Sequence, residues 1–248
     1  MTSPTVFVDL VVPRCLAGPG DSRWATEPLK EAGWTVRPYP GLSTHITYTS
    51  PDRSTRLLHD VSGWALAHAG PSREWCAAFG FCTPVEIVAA VLDAVTDPAP
   101  AGQPHPFSPF ERSGWRPNRL GDGLASHDGT TEIARLDDAG LATTVWEGPD
   151  FVWASYLHPD TPPHVVHAFA TALTSPEAVP RSGHPHVPPH RLTDGAGLLQ
   201  RTRRELPADA FDRALAERVK ALAARHPAPA RLPAPASPPA RPGPSARP

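Results

Sequence analysis

The sequence predicts an α+β fold: two tandem repeats, each an antiparallel β-meander followed by one capped α-helix, then a C-terminal helix and a disordered Pro-rich tail. Three observations predict it. The stretch "WCAAFGFCTPVEIVAAVLDAVTDP" at 75–98 returns 78 residues later as "WASYLHPDTPPHVVHAFATALTSP" at 153–176. Short β-type runs separated by turn residues precede both stretches. A Thr-Pro pair followed by apolar residues at helical spacing closes each of them.

Residues 70–98 and 148–176 are identical at ten of 29 positions, at one constant offset. Upstream, "PLKEAGW" (28–34) resembles "PFERSGW" (109–115), and the turn "SPDR" (50–53) answers "SHDG" (126–129). The offsets change while the order of signposts is kept, which reads as a duplication with loop insertions between matched elements. The predicted units are 1–99 (first repeat with an N-terminal strand), 100–180 (second repeat), 181–226 (basic linker and amphipathic helix) and 227–248 (Pro/Ala/Arg tail).

Taken in order, Thr5–Val12 is an apolar strand free to pair with either repeat. "GPGDSR" at 18–23 lacks the third glycine and the helical continuation of a dinucleotide loop, and reads as a turn. The first meander is Thr35–Tyr39, His45–Thr49, Thr55–His59, Trp64–Ala69 and Glu74–Phe79. The second is Leu124–His127, Glu132–Leu136, Ala142–Trp146 and Phe151–Leu157. "HDGT", "DDAG" and two Gly-Pro pairs supply turn chemistry between them. Each repeat is anchored by a Trp and a Thr-Pro pair: Trp75, Thr83 and Pro84, then Trp153, Thr161 and Pro162. The threonine hydroxyl is expected to cap the helix, with Pro84 at the first helical position. Glu86 completes a capping box in the first copy, where the second has His164. Ile87, Val88, Val91, Leu92 and Val95, and then Val165, Val166, Phe169 and Leu173, form the apolar stripes. Pro98 and Pro176 stop the two helices. Beyond them, Phe211, Leu215, Val219 and Leu222 mark the C-terminal helix, with Pro207 near its first turn and Arg213–Glu217 as an i,i+4 pair.

Charge divides the chain. Residues 1–176 carry 11 Lys/Arg against 19 Asp/Glu, or −8, and residues 177–248 carry 12 against 6, or +6. A basic C-terminal part therefore meets nucleic acid, an acidic partner or the protein's own acidic body. Arg201, Arg203 and Arg204 are the candidate partner-binding residues there. The 34 Pro and 18 Gly imply many turns and short elements. The cysteines are three, Cys15, Cys76 and Cys82, and none forms a CxxC pair. The opening residues lack a basic lead, and no apolar run reaches the ~18 residues of a membrane span. Buried thiols in a reducing, cytoplasmic setting and no membrane partner are the expectation.

The ordered signposts "PRCLAGPGD", "GW", "SPD" and "W…F…TP.EI..A..DA" resemble the actinobacterial domain of unknown function numbered 317, in two tandem copies over roughly residues 13–181. The second copy departs from that pattern at His158, Pro163 and His164. The resemblance implies a soluble actinobacterial protein. It brings no activity, cofactor or catalytic residue.

The chain has no P-loop, GxSxG elbow or HExxH. His164 and His167, three apart on one helix, want a third metal ligand that the sequence does not supply. His184, His186 and His190 sit in a Pro-held tract, and Asp137 and Asp138 read as a turn. No catalytic residue, cofactor or metal is assigned. Paired Trp residues at 34/115 and 75/153, with Trp64 and Trp146 before Gly-Pro turns, read as core packing. Exposed, beside Arg53, Arg56 and Arg73 or Arg112, Arg116 and Arg119, they would instead make a stacking platform for bases. The expected function is a non-enzymatic binding or adaptor protein with a protein or nucleic-acid partner. The alternatives are a nucleic-acid binder using exposed Trp/Arg and the basic tail, and an enzyme of unrecognised type with a cleft between the repeats. Three findings separate them: an apolar open face favours protein, an Arg face with exposed Trp favours nucleic acid, and a deep cleft with converging His and carboxylates favours an enzyme.

Overall fold

Ten strands join into one antiparallel sheet in a computed structural model that describes residues 4–39, 41–71, 73–97, 102, 104–136, 140–182 and 200–225. The first five are β2 (Thr35–Tyr39), β3 (Leu42–Thr49), β4 (Thr55–Asp60), β5 (Gly63–Ala69) and β6 (Glu74–Gly80). The second five are β7 (Arg116–Pro117), β8 (Gly123–Ala125), β9 (Thr131–Leu136), β10 (Gly140–Glu147) and β11 (Asp150–Leu157). Each set is a meander, and they meet at β6 and β11, so the order is β2-β3-β4-β5-β6-β11-β10-β9-β8-β7. Strand spacing makes this sheet roughly 43 Å wide. The protein is thus a mixed α+β molecule in which the two meanders share a single sheet and a single core cluster.

The seam between the halves is symmetric. Ala77 pairs with Leu157, Ala78 with Tyr156 and Phe79 with Ser155. Replacing every residue by its counterpart 78 positions away returns the same three pairs. A twofold axis therefore passes between Ala78 and Tyr156.

Alternation decides which face is covered. Trp64 and Leu66 on β5, with Trp75, Ala77 and Phe79 on β6, are buried, whereas Ala65, Ala67, Cys76 and Ala78 between them are exposed. The buried face carries α2 (Val85–Thr96) and α4 (Pro163–Leu173), which pack against each other over the seam. Outside them lie α1 (Arg23–Glu31) against α2, and α3 (Ser108–Arg112) against α4. Neither α1 nor α3 is in the predicted pattern, so each half is helix, meander, helix. The signposts "EAGW" and "RSGW" are the ends of these two helices. The amide of Gly33 bonds to the Lys30 carbonyl and that of Trp34 to Leu29; Gly114 to Glu111 and Trp115 to Phe110 repeat the pattern. Both are Schellman ends, with glycine at φ 84° and 70° and the tryptophan folded back on the last helical turn.

The remaining strands depart from expectation. β1 (Thr5–Val12) pairs with neither meander. It is the centre of a separate sheet of order β12-β1-β13, with β12 at Val179–Ser182 and β13 at Gln200–Pro207. Pro207 ends β13 instead of opening a helix. The C-terminal helix α5 (Ala210–Arg225) follows and packs on α1. Leu215 and Leu222 are buried, and Phe211 lies 6.0 Å from Trp24, centroid to centroid. Arg213 pairs with Asp209, not with Glu217. The expected tail at 227–248, the histidines at 184, 186 and 190, Asp137, Asp138 and Pro98 lie outside the described residues. Among the described residues no helix is long and apolar enough to cross a membrane.

Candidate binding surfaces

The six anchor residues occupy matching places in the two halves, but their chemistry differs from the predicted cap. Trp75 and Trp153 are buried on the core face of β6 and β11. Trp153 donates its indole N–H to the Cys15 carbonyl at 2.7 Å, whereas Trp75 stacks on His68. Pro84 and Pro162 are themselves the N-cap residues, in extended conformation at ψ 130° and 139°. Thr83 and Thr161 stand one residue earlier, buried, and neither hydroxyl meets a partner among the described residues. The free amide of Val85 goes instead to the Pro19 carbonyl at 2.9 Å. Glu86 does not close a capping box. It takes Arg181 through both oxygens, at 2.8 and 2.7 Å.

The "SPD" and "SHD" turns are two versions of one hydrogen-bonded clasp. Ser50 donates its hydroxyl to Asp52 at 2.6 Å and accepts the Thr55 amide at 2.9 Å; Asp52 accepts the Ser54 amide at 3.1 Å. Ser126, Asp128, Thr130 and Thr131 repeat these contacts at 2.6, 3.0 and 3.0 Å. The Ser50 hydroxyl and the Ser54 donors hold the Asp52 carboxyl below the ordinary carboxylate range. At Asp128 burial is the largest influence and acts upward, but Ser126 and Thr130 together outweigh it and its value is also lowered. The Asp52 and Asp128 carboxylates accept from hydroxyl and amide donors of their own turns, so each motif closes a hairpin.

The sheet face that no described helix covers is a candidate surface. Its centre is lined by small side chains, because the face opposite Trp64, Leu66, Trp75 and Phe79 holds Ala65, Ala67, Cys76 and Ala78. A shallow groove of about 370 Å³ crosses the seam there, floored by Ala65, Ala78, Gly80 and Ala154 and walled by Leu58 and Tyr156. Asp60 and Ser62 add polar groups. The Ser62 hydroxyl and amide lower the Asp60 carboxyl, which also stands 3.3 Å from His45. The alternating "GWALAHA" of β5 held the signal for this face, since Ala65, Ala67 and Ala69 alternate with Trp64, Leu66 and His68. A second cavity, about 280 Å³, lies between Pro13–Cys15 and the Ser126–Thr131 clasp. Burial there pushes the Cys15 thiol upward, as it does at Cys82. Cys76, expected to be buried, is exposed on the open face, and no disulfide links the three.

The tryptophans lie mostly elsewhere. Trp34, Trp64, Trp75 and Trp153 are buried, Trp24 and Trp115 pack against the core, and Trp146 alone is 36% exposed, edge-on to Phe151. Trp64 and Trp146 are not counterparts: Trp64 begins β5 opposite Phe79, and Trp146 ends β10 beyond a bulge. His164 and His167 do not converge. Burial lowers His164, which bonds to the Ala94 backbone, and His167 meets the His105 carbonyl at 3.1 Å. Among the described residues no group of three His, Cys, Asp or Glu is placed to hold a metal. "GPGDSR" does lead into a helix, α1, contrary to expectation. Asp21 already accepts the first helical amide, from Arg23, at 2.9 Å.

Three arginines of the basic C-terminal part pair with carboxylates of the acidic body. Glu86, Asp93 and Asp97 lie along α2 and its end, and they pair with Arg181, Arg218 and Arg225. Arg218 is bidentate on Asp93 at 2.9 and 2.7 Å and also donates to the Trp24 carbonyl. α4 and the residues after it carry His164, Thr171 and Ser175 at the corresponding positions, which explains why one half alone gains a basic helix. Arg201, Arg203 and Arg204 are exposed on β13, and Arg213 and Lys220 are exposed on α5. Arg203 lies over the Phe7 ring at 4.8 Å, and Arg201 is 3.9 Å from Asp9.

No curated protein and no solved structure matches the chain. The family that this chain is similar to is the one described as SPDY, domain of unknown function DUF317, whose model matches one copy over residues 49–101, from the first Ser-Asp clasp through α2.

Proposed function

We propose that this chain is a non-enzymatic binding or adaptor protein of the cytoplasm whose protein partner lies across the open face of the large sheet. The observation that supports this reading is the alanine-lined groove over the seam. It is wide, shallow and apolar, and its carboxylate is Asp60, which is engaged by Ser62. A surface of that kind suits a protein more than a small substrate. A nucleic-acid reading needs exposed Trp, yet six of the seven lie in or against the core. The body is two copies of one helix-meander-helix unit fused by duplication. Matched Schellman ends, matched clasps and the symmetric seam support that history.

Ala78→Arg tests the reading. Its side chain would stand in the groove without entering the core, so stability should move by less than about 0.5 kcal/mol. Extract from the source organism passed over immobilised protein should leave one protein on the wild type and none on the variant. Equal retention by both would remove the groove from the function. A salt-dependent affinity of the full chain for duplex or single-stranded DNA, unaltered by the variant, would replace the protein reading with the nucleic-acid one.

A further inference from the structure

The ladders of the large sheet set one row of open-face residues straight across the molecule. On one side of the seam Ala78 pairs with Ala65, Ala65 with Leu58 and Leu58 with Thr47. On the other, Tyr156 pairs with Ala142, Ala142 with Ala134 and Ala134 with Gly123. Ala78 and Tyr156 join the two arms at the axis. Equal steps outward therefore match Ala78 with Tyr156, Ala65 with Ala142, Leu58 with Ala134 and Thr47 with Gly123. In every match but the alanine pair, a larger side chain in one half answers a smaller one in the other.

We infer that the partner on this face is a second copy of this chain, stacked face to face about a twofold axis along the seam; this rests on the groove reading above and names its occupant. An axis in the plane of contact, parallel to β6 and β11, reverses the row of one copy over the row of the other. Tyr156 of each copy then stands over Ala78 of the other, in the groove floored by Ala65, Ala78, Gly80 and Ala154. Leu58 stands over Ala134 and Thr47 over Gly123, so no large side chain is set on another and the two faces interdigitate. An axis across the strands would instead set Tyr156 on Tyr156 and leave alanine facing alanine over the groove. Packed sheets cross at about 30°, which carries residues outside the row off their counterparts. The charges there are of both signs, Arg37, Arg56 and Arg116 with Asp60, Glu74 and Glu132, so no field of one sign opposes the approach. The face measures roughly 43 by 20 Å, on the order of 800 Å². That is about the area each partner buries in a standard interface.

Sedimentation equilibrium of the full chain tests it. Chains of 26.5 kDa should pair with a Kd below about 100 μM. Ala78→Tyr sets tyrosine on tyrosine, and Tyr156→Ala leaves the groove unfilled; each should weaken the dimer by about tenfold or more. Ala78→Tyr/Tyr156→Ala restores one large and one small group at each contact. It should recover the wild-type Kd to within about threefold, a rescue that a misfolded variant cannot imitate. In a Cys76→Ala background, a short bis-maleimide should join Leu58→Cys to Ala134→Cys when the two are mixed, and should not join Leu58→Cys to itself. The inference fails if the wild type is a monomer at that concentration, if Ala78→Tyr leaves the dimer intact, if the double variant stays weak, or if Leu58→Cys cross-links to itself. A monomeric wild type whose Ala78→Arg variant still loses the protein retained from extract would keep the groove reading with another occupant; equal retention as well would remove both.

Discussion

Asp52 and Asp128 each fasten a hairpin through a carboxylate that accepts at least one hydroxyl and one backbone amide. Removing either carboxylate loses those bonds at a solvent-exposed turn, so Asp52→Ala and Asp128→Ala should each cost about 0.5–1.5 kcal/mol in urea unfolding. Both carboxyls titrate below their ordinary value when folded. The stability they contribute is therefore complete above the unfolded carboxylate range, near pH 4, and is lost as pH falls through the depressed folded values. The double variant should show a flatter decline of its urea midpoint over that acid range; an unchanged slope would take the clasp out of the acid response. Arg218 provides the opposite case. Burial pushes Asp93 upward and Arg218 opposes it. Arg218→Met should cost about 2–3 kcal/mol by leaving that carboxyl half-buried and unpaired, and adding Asp93→Asn should restore part of the loss.

At the scale of elements, the Schellman glycine that ends α3 and the glycine that opens β5 separate conformational cost from steric cost. A Cβ at Gly114 would meet nothing within 4 Å, so Gly114→Ala costs only the left-handed backbone, about 1–2 kcal/mol. A Cβ at Gly63 would lie 2.1 Å from the Phe79 carbonyl oxygen, and Gly63→Ala should break the β5–β6 ladder there. Thermal melts of the two variants would order them, and a reversed order would contradict the geometry. These elements also mark where the sequence could be read and where it could not. Nine strands of the meanders were legible from alternation and turn residues. β7 is two residues long and carries too little pattern. α1 was hidden because Pro28 falls inside it, and α3 because five residues make barely one turn. β13 reads as a polar basic run because nearly all of it faces solvent. The open face was written in the alanines of β5, but alternation alone cannot reveal that no described helix covers the second side. The predicted threonine caps failed because Thr-Pro-X places the proline, not the threonine, at the helix boundary.

Across the whole molecule, the halves share one sheet, one core and one pair of packed helices at the axis. Unfolding should therefore be a single transition, with tryptophan fluorescence and far-UV circular dichroism following the same urea curve. Two separated curves would mean that the halves hold together on their own. The self-matching ladder at Ala78 and Tyr156 has one further consequence. A lone half would carry its own β6 or β11 as a bare, proline-free border. It would meet the same border on a like molecule in the register already used inside this chain. Severing the link between α2 and α3 should thus yield fragments that reassemble noncovalently on mixing, and the first fragment alone should dimerise through Ala77–Phe79.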